Sequence, residues 1–117
     1  MRAAREFEEV YLYTGVLDMR LGVDRLSGLV QEWFKRSVTG GGLYVFVSRC
    51  RKRVKLLYWD RDGYALWIKR LEAGVFQIER RDGSEQITGV DLEALLLGME
   101  LSRIKLRKAV SAGLYGE

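Results

Sequence analysis

Apolar positions along this chain follow two periods, and the switches between them mark its elements. Met1 to Glu9 reads as a charged arm. Val10 to Tyr13 (VYLY) is β-branched and aromatic, which predicts a short strand ending at Gly15. After Gly22, the residues Val23, Leu26, Leu29, Val30, Trp33 and Phe34 fall on one face of a helix. Asp24 sits in its first turn and Lys35 and Arg36 in its last, each where the helix dipole favours that sign. Thr39-Gly40-Gly41-Gly42 is expected to stop it.

The period then shortens to two. Leu43 to Val47, Val54 to Trp59, Tyr64 to Leu71 and Val75 to Glu79 each read as a strand, and Glu85 to Thr88 as a short edge strand. Turn chemistry separates them: Asp60-Arg61-Asp62-Gly63 (with Gly63 able to take positive φ), Gly74, and Arg81-Asp82-Gly83-Ser84. Thr88 can cap a second helix, with Asp91 three residues on and an apolar stripe of Leu92, Leu95, Leu96 and Met99. Leu101 to Lys108 is basic and weakly amphipathic, and Ser111 to Glu117 reads as a frayed tail. The expected fold class is α+β: an antiparallel four- to five-stranded β-meander with two amphipathic helices packed on one face. The expected organisation is an arm over 1–9, one domain over 10–100 and a basic extension over 101–117.

Composition narrows the chemistry. At 117 residues the chain suits one domain. It has no histidine, so Ser-His-Asp and Cys-His catalysis are excluded. Cys50 is the single cysteine, so one chain can build neither a disulfide nor a Cys/His zinc site. No metal site and no cofactor are expected. No apolar run approaches the ~20 residues of a membrane span, and the charged start lacks a signal peptide's apolar region. A cytoplasmic protein without membrane contact is expected.

Charge points to a partner. Eight basic residues (Arg49, Arg51, Lys52, Arg53, Lys55, Arg61, Lys69, Arg70) face two acids between Arg49 and Arg70, leaving +6 there and −2 elsewhere out of a total of +4. Such asymmetry suits a polyanion. Arg49, Arg51, Lys52, Arg53 and Lys55, with Lys69 and Arg70 nearby, are therefore candidate phosphate contacts. The plainer reading is a solvated loop whose charges protect strand edges. Arg103, Lys105, Arg107 and Lys108 fit a helix-terminal tail better than an extended footprint.

Tyr44, Phe46, Tyr58, Trp59, Tyr64 and Trp67 interleave the basic stretch. They are either a base-stacking platform or core. Alternation puts Leu57 and Trp59 on one face and Leu56 and Tyr58 on the other, so both faces of that strand are apolar. With both helices on one face, the other would need a partner protein or a second copy. Asp60, Asp62, Glu72 and Lys69 superficially suggest a metal-dependent nuclease. Turn-forming aspartates explain the first two equally well. Cys50 is either a thiol with a lowered pKa or a plain half-buried one.

An ordered set of residues carries a family resemblance. Asp18-Met19-Arg20 leads through Gly22 and Asp24 to Leu26 and Val30. Tyr58-Trp59-Asp60, Gly63, Lys69-Arg70-Leu71-Glu72, Gly74 and Phe76 follow, then Ile87-Thr88, Leu92, Leu95-Leu96 and Gly98. The set resembles the accessory protein, TnpB or second-open-reading-frame protein, of insertion sequences of the IS-sixty-six type. Arg25 stands where that family carries glycine, and no proline follows Phe76. The resemblance implies a non-catalytic role in DNA transposition. It also implies a separate transposase, which carries the catalytic carboxylates. The basic segment, not the resemblance, supplies the expectation that the chain binds DNA at the element ends and helps that transposase assemble there.

Overall fold

The computed structural model describes residues 6–79, 84–87 and 89–96. Residues 1–5 of the arm, the Arg81-Asp82-Gly83 turn, the Thr88 cap, Met99 and the 101–117 extension lie outside the described residues. Among the described residues there are five strands: β1 (Val10–Leu17), β2 (Leu43–Ser48), β3 (Arg53–Asp60), β4 (Gly63–Arg70) and β5 (Ser84–Ile87). They form one sheet in the order β4-β3-β2-β1-β5.

The sheet is mixed, which corrects the expected antiparallel meander. β1 runs parallel to β2, with Val10 beside Leu43 and Tyr13 beside Phe46. The β2–β3, β3–β4 and β1–β5 pairs are antiparallel. A parallel pair needs a crossover of about a dozen residues or more, usually with a helix in it. The chain between β1 and β2 supplies one: α1 (Val23–Leu29), continued by a π-helical turn over Val30–Phe34. The helix ends before the glycines, at Lys35, which takes a left-handed φ of 57°. Arg36 is therefore not a helix-terminal cation. Its guanidinium meets Glu9 Oε1 at 2.6 Å and lies 5.1 Å from the centre of the Tyr11 ring.

Val75 to Glu79 forms no strand, a second correction. β4 lies at one edge of the sheet and β5 pairs with β1 near the other, Val10 beside Ile87. The intervening chain must cross a face. Gly74 turns at φ +74°, and the Leu71 and Phe76 amides donate to the carbonyls of Lys52 (2.7 Å) and Arg51 (2.6 Å). Phe76 and Ile78 are then buried. Their period of two is real, but it serves a crossing strap rather than a ladder.

The helices lie on opposite faces, which corrects their expected placement on one. On the first face, Tyr13, Tyr44, Phe46 and Leu57 pack with Leu26 and Val30 of the crossover. On the second, Val10, Leu12, Val45, Val54, Leu56 and Tyr58 pack with Phe7, Phe76 and Ile78. Leu92 and Leu95 of α2 (Gly89–Leu96) complete that second cluster. All six residues of β2 are buried. Among the described residues, no helix is long and apolar enough to cross a membrane.

β1 is longer than expected and its pairing with β2 shifts register between Tyr13 and Leu17. Gly15 sits inside that irregularity. A Cβ there would lie 2.7 Å from the Tyr13 hydroxyl, closer than contact permits. In the two-residue β3–β4 turn, positive φ falls on Arg61 (58°) and not on Gly63. An L side chain in the left-handed region costs ~1–2 kcal/mol. Glycine's extra freedom in the unfolded chain returns ~0.5–1 kcal/mol of that. The variant Arg61→Gly is therefore expected to unfold at higher urea, with a gain of about 0.5–1 kcal/mol in equilibrium denaturation.

Candidate nucleic-acid interface

The β2–β3 turn is rigid in its backbone and cationic in its side chains. The Arg51 amide donates to Ser48 O at 3.0 Å and the Arg53 amide to Ser48 Oγ at 3.1 Å. Arg51 is left-handed at φ 62°. The strap holds the same turn through its bonds to Arg51 and Lys52 carbonyls. Arg49, Lys52 and Arg53 are exposed and Arg51 is half-buried. None of the four makes an ion pair among the described residues. Arg53 is also held directly opposite Arg70 across the β3–β4 ladder. Arg70 Nε meets Glu72 Oε2 at 3.0 Å.

Two of the seven candidate cations sit elsewhere. Lys55 is buried, and its ammonium donates to the carbonyls of Met19 (2.6 Å) and Leu21 (2.8 Å). It clamps the segment leading into α1 onto the first face. Burial is the largest influence on its pKa and lowers it, with the Asp18 carboxylate opposing. Lys69 donates to Leu96 O of α2 at 2.6 Å. Alternation carried this signal: Lys55 shares the parity of Leu57 and Trp59, whose face α1 covers.

The aromatic platform is mostly core. Tyr44 and Phe46 are 0% exposed, and Tyr11 stacks on Tyr44 with ring centres 5.3 Å apart. The face expected to await a partner is covered by the crossover, because the two helices divide the faces between them. Tyr64 and Trp67, on the edge strand, remain exposed.

The acidic residues do not converge. Asp60 and Asp62 belong to the β3–β4 turn, whereas Glu72 lies past the far end of β4. Eight residues of strand at ~3.3 Å each separate them. Among the described residues, no group of three His, Cys, Asp or Glu side chains could hold a metal ion. Cys50 is exposed rather than half-buried, and its hydrogen bond with Ser48 Oγ (3.5 Å) lowers the thiol pKa.

Residues 8–106 match the family described as IS66 Orf2 like protein. The chain belongs to that family. It is similar to two uncharacterized proteins of Sinorhizobium fredii (strain NBRC 101917 / NGR234). It shares 35% identity with y4hO over 92 residues, covering 78% of this chain and 80% of that protein. With y4jC it shares 29% over 102 residues, covering 86% of each. No solved structure matches it.

In this IS66 Orf2 like protein, the residues that carry the resemblance build bends and turns of the frame, at the cationic turn and at the far end of β3. Asp18 accepts the Arg20 amide (2.9 Å) and the Arg20 guanidinium at both oxygens, 3.0 Å from Nε and 2.8 Å from Nη2. That fixes the bend whose Met19 carbonyl Lys55 holds. Trp59 Nε1 donates to Arg61 O at 3.1 Å, across the turn that Asp60 and Gly63 close. Leu71, Gly74 and Phe76 form the strap, and Glu72 pairs with Arg70.

Two expectations follow for the clamp. Lys55→Met leaves the Met19 and Leu21 carbonyls without their charged donor, and bonds to charged groups are each worth ~1.5–3 kcal/mol. The variant should lose about 3 kcal/mol in urea unfolding, the low end of the two-bond sum because the ammonium's own burial cost goes with it, and trypsin should cut after Arg20 faster than in the native chain. The Arg20 side chain, the largest influence, holds the Asp18 carboxyl at about 2, below its ordinary 3.8. A lowered carboxyl pKa stabilises above the unfolded value and loses that contribution as pH falls towards the folded one. The native chain should therefore be more stable than Asp18→Asn near neutral pH. The gap should close as pH drops from 3.8 to about 2, read as unfolding midpoints across an acid series.

Proposed function

We propose that this chain is a non-catalytic accessory protein of insertion-sequence transposition that holds DNA through its β2–β3 turn. Membership of the IS66 Orf2 like family supports the process. The observation that carries the mechanism is the cluster of Arg49, Arg51, Lys52 and Arg53, which makes no ion pair among the described residues, with Arg53 set against Arg70. Like charges directly opposed across two strands destabilise a sheet. A bound polyanion relieves that repulsion. Arginine adds a planar fork that takes a phosphate through two parallel bonds, and lysine adds a point charge.

A turn suits this task. Its backbone is tied at Ser48 on one side and to the strap on the other, so few backbone degrees of freedom are lost on binding. Phosphate contacts set position and orientation; preference for element ends requires base edges or DNA shape in addition. In this reading the protein presents DNA to a separate transposase, which carries out the cutting and joining. No cofactor takes part.

The test is fluorescence anisotropy with two labelled duplexes, one carrying the element's terminal inverted repeat and one scrambled, at low and near-physiological salt. The native chain is expected to bind. The triple variant Arg49→Glu/Lys52→Glu/Arg53→Glu should bind about 100-fold more weakly, and each lost phosphate contact should lower the salt slope by about 0.9. Its thermal unfolding should stay close to native, since all three side chains are exposed. Absence of binding by the native chain at either salt overturns the DNA reading and leaves a protein contact with the transposase as the role.

A further inference from the structure

β4 is an edge strand, and no described strand pairs with its outer side. Among the described residues it lacks the devices by which edges normally avoid pairing. It is eight residues long, contains no proline and keeps an unbroken register with β3 from Gly63 to Arg70. Its charged side chains stand only at its end, as Lys69 and Arg70, with Asp60 and Asp62 in the turn before its start. Ile68 is 54% exposed, Tyr64 42% and Trp67 38%, among the most exposed large apolar side chains of the described residues.

The outward hydrogen-bonding groups can be assigned. Asp60 and Gly63 close a two-residue turn as a pair, and such a closing pair bonds to itself. Along β4, Gly63, Ala65, Trp67 and Lys69 therefore direct their backbone N–H and C=O groups at β3. Tyr64, Leu66, Ile68 and Arg70 direct theirs outward, and these four side chains share the face that α1 covers further in.

We propose that β4 pairs antiparallel with β4 of a second copy, about a two-fold axis at Leu66. In a two-fold pair each residue and its opposite must lie on the same face, so the axis passes through a residue. Centred on Leu66, Tyr64 lies opposite the partner's Ile68, Ala65 opposite the partner's Trp67, and Asp62 opposite the partner's Arg70. Each contact occurs twice, as a self-complementary interface requires. The two exposed apolar side chains of one face cover each other, the large ring meets the smallest side chain, and opposite charges meet at both ends. Centred on Trp67, Tyr64 would face Arg70 and Ala65 would face Lys69, and every one of these matches is lost. Arg70 holds Glu72 through Nε alone, which leaves guanidinium donors for the incoming carboxylate. The dimer does not rest on the DNA reading, and its test contains no DNA.

The test is sedimentation equilibrium of the full chain over the micromolar range, with Asp62→Arg, Arg70→Asp and the double exchange. A dimer is expected. Each single reversal should weaken it about tenfold, because two cross-strand pairs become like-charged, and the double exchange should restore it. Thermal melts check that the variants fold. A monomeric chain overturns the proposal, as does a dimer that ignores both single reversals. So does a monomer whose Leu66 and Ile68 amides are protected from hydrogen exchange, since the chain's own residues would then cover the edge.

Discussion

β2 offers no side chain to solvent, and covering both of its faces is the constraint from which the other elements follow. Tyr44 and Phe46 face one way, Leu43, Val45 and Val47 the other, and all are buried. A sheet buried on both sides needs a layer on each. The crossover with α1 supplies the first layer, and the strap with α2 supplies the second. Burial of apolar area is the dominant favourable term in folding. The rigid placement of the cationic turn is therefore a by-product of core packing: the same strap that fills the second face with Phe76 also ties the turn's backbone.

Most of the elements were legible in the sequence, and their arrangement was less so. The five described strands, the start of the first helix and Leu92, Leu95 and Leu96 of the second match the periodic pattern, because period reports local geometry directly. The parallel β1–β2 pair was within reach. A strand, a helix and a strand in succession is the pattern of a parallel crossover, but the hairpins that follow suggested one continuous meander. Phe76 and Ile78 alternate as a strand does, and only the late pairing of β5 with β1 shows that their segment must cross a face. Gly63 was the obvious residue for positive φ, yet Arg61 takes it. Turn geometry depends on strand twist as well as on residue preference.

The candidate site was half legible. The run from Arg49 to Lys55 stands out by charge alone, but charge does not say which ammonium groups are spent internally. Lys55 and Lys69 each donate to backbone carbonyls inside the fold. What remains exposed is the turn itself. Of the residues that mark the family, Leu71, Glu72, Gly74 and Phe76 sit beside it, whereas Trp59, Asp60 and Gly63 lie at the far end of β3. They record how the frame is built, and the frame is what carries the cations.

The position of β1 has a consequence for how the chain acquires its shape. β1 is the first of the described strands but lies inside the sheet, and one of its two neighbours is the last of them, Val10 beside Ile87. A protein emerging from the ribosome N-terminal end first could assemble β1 to β4 and still leave one side of β1 open. Contacts of such wide sequence separation slow folding, and an unpaired strand edge exposed meanwhile invites association with other chains. That side of β1 is paired only when β5 arrives, so newly made chains are most vulnerable to one another while β5 is still missing.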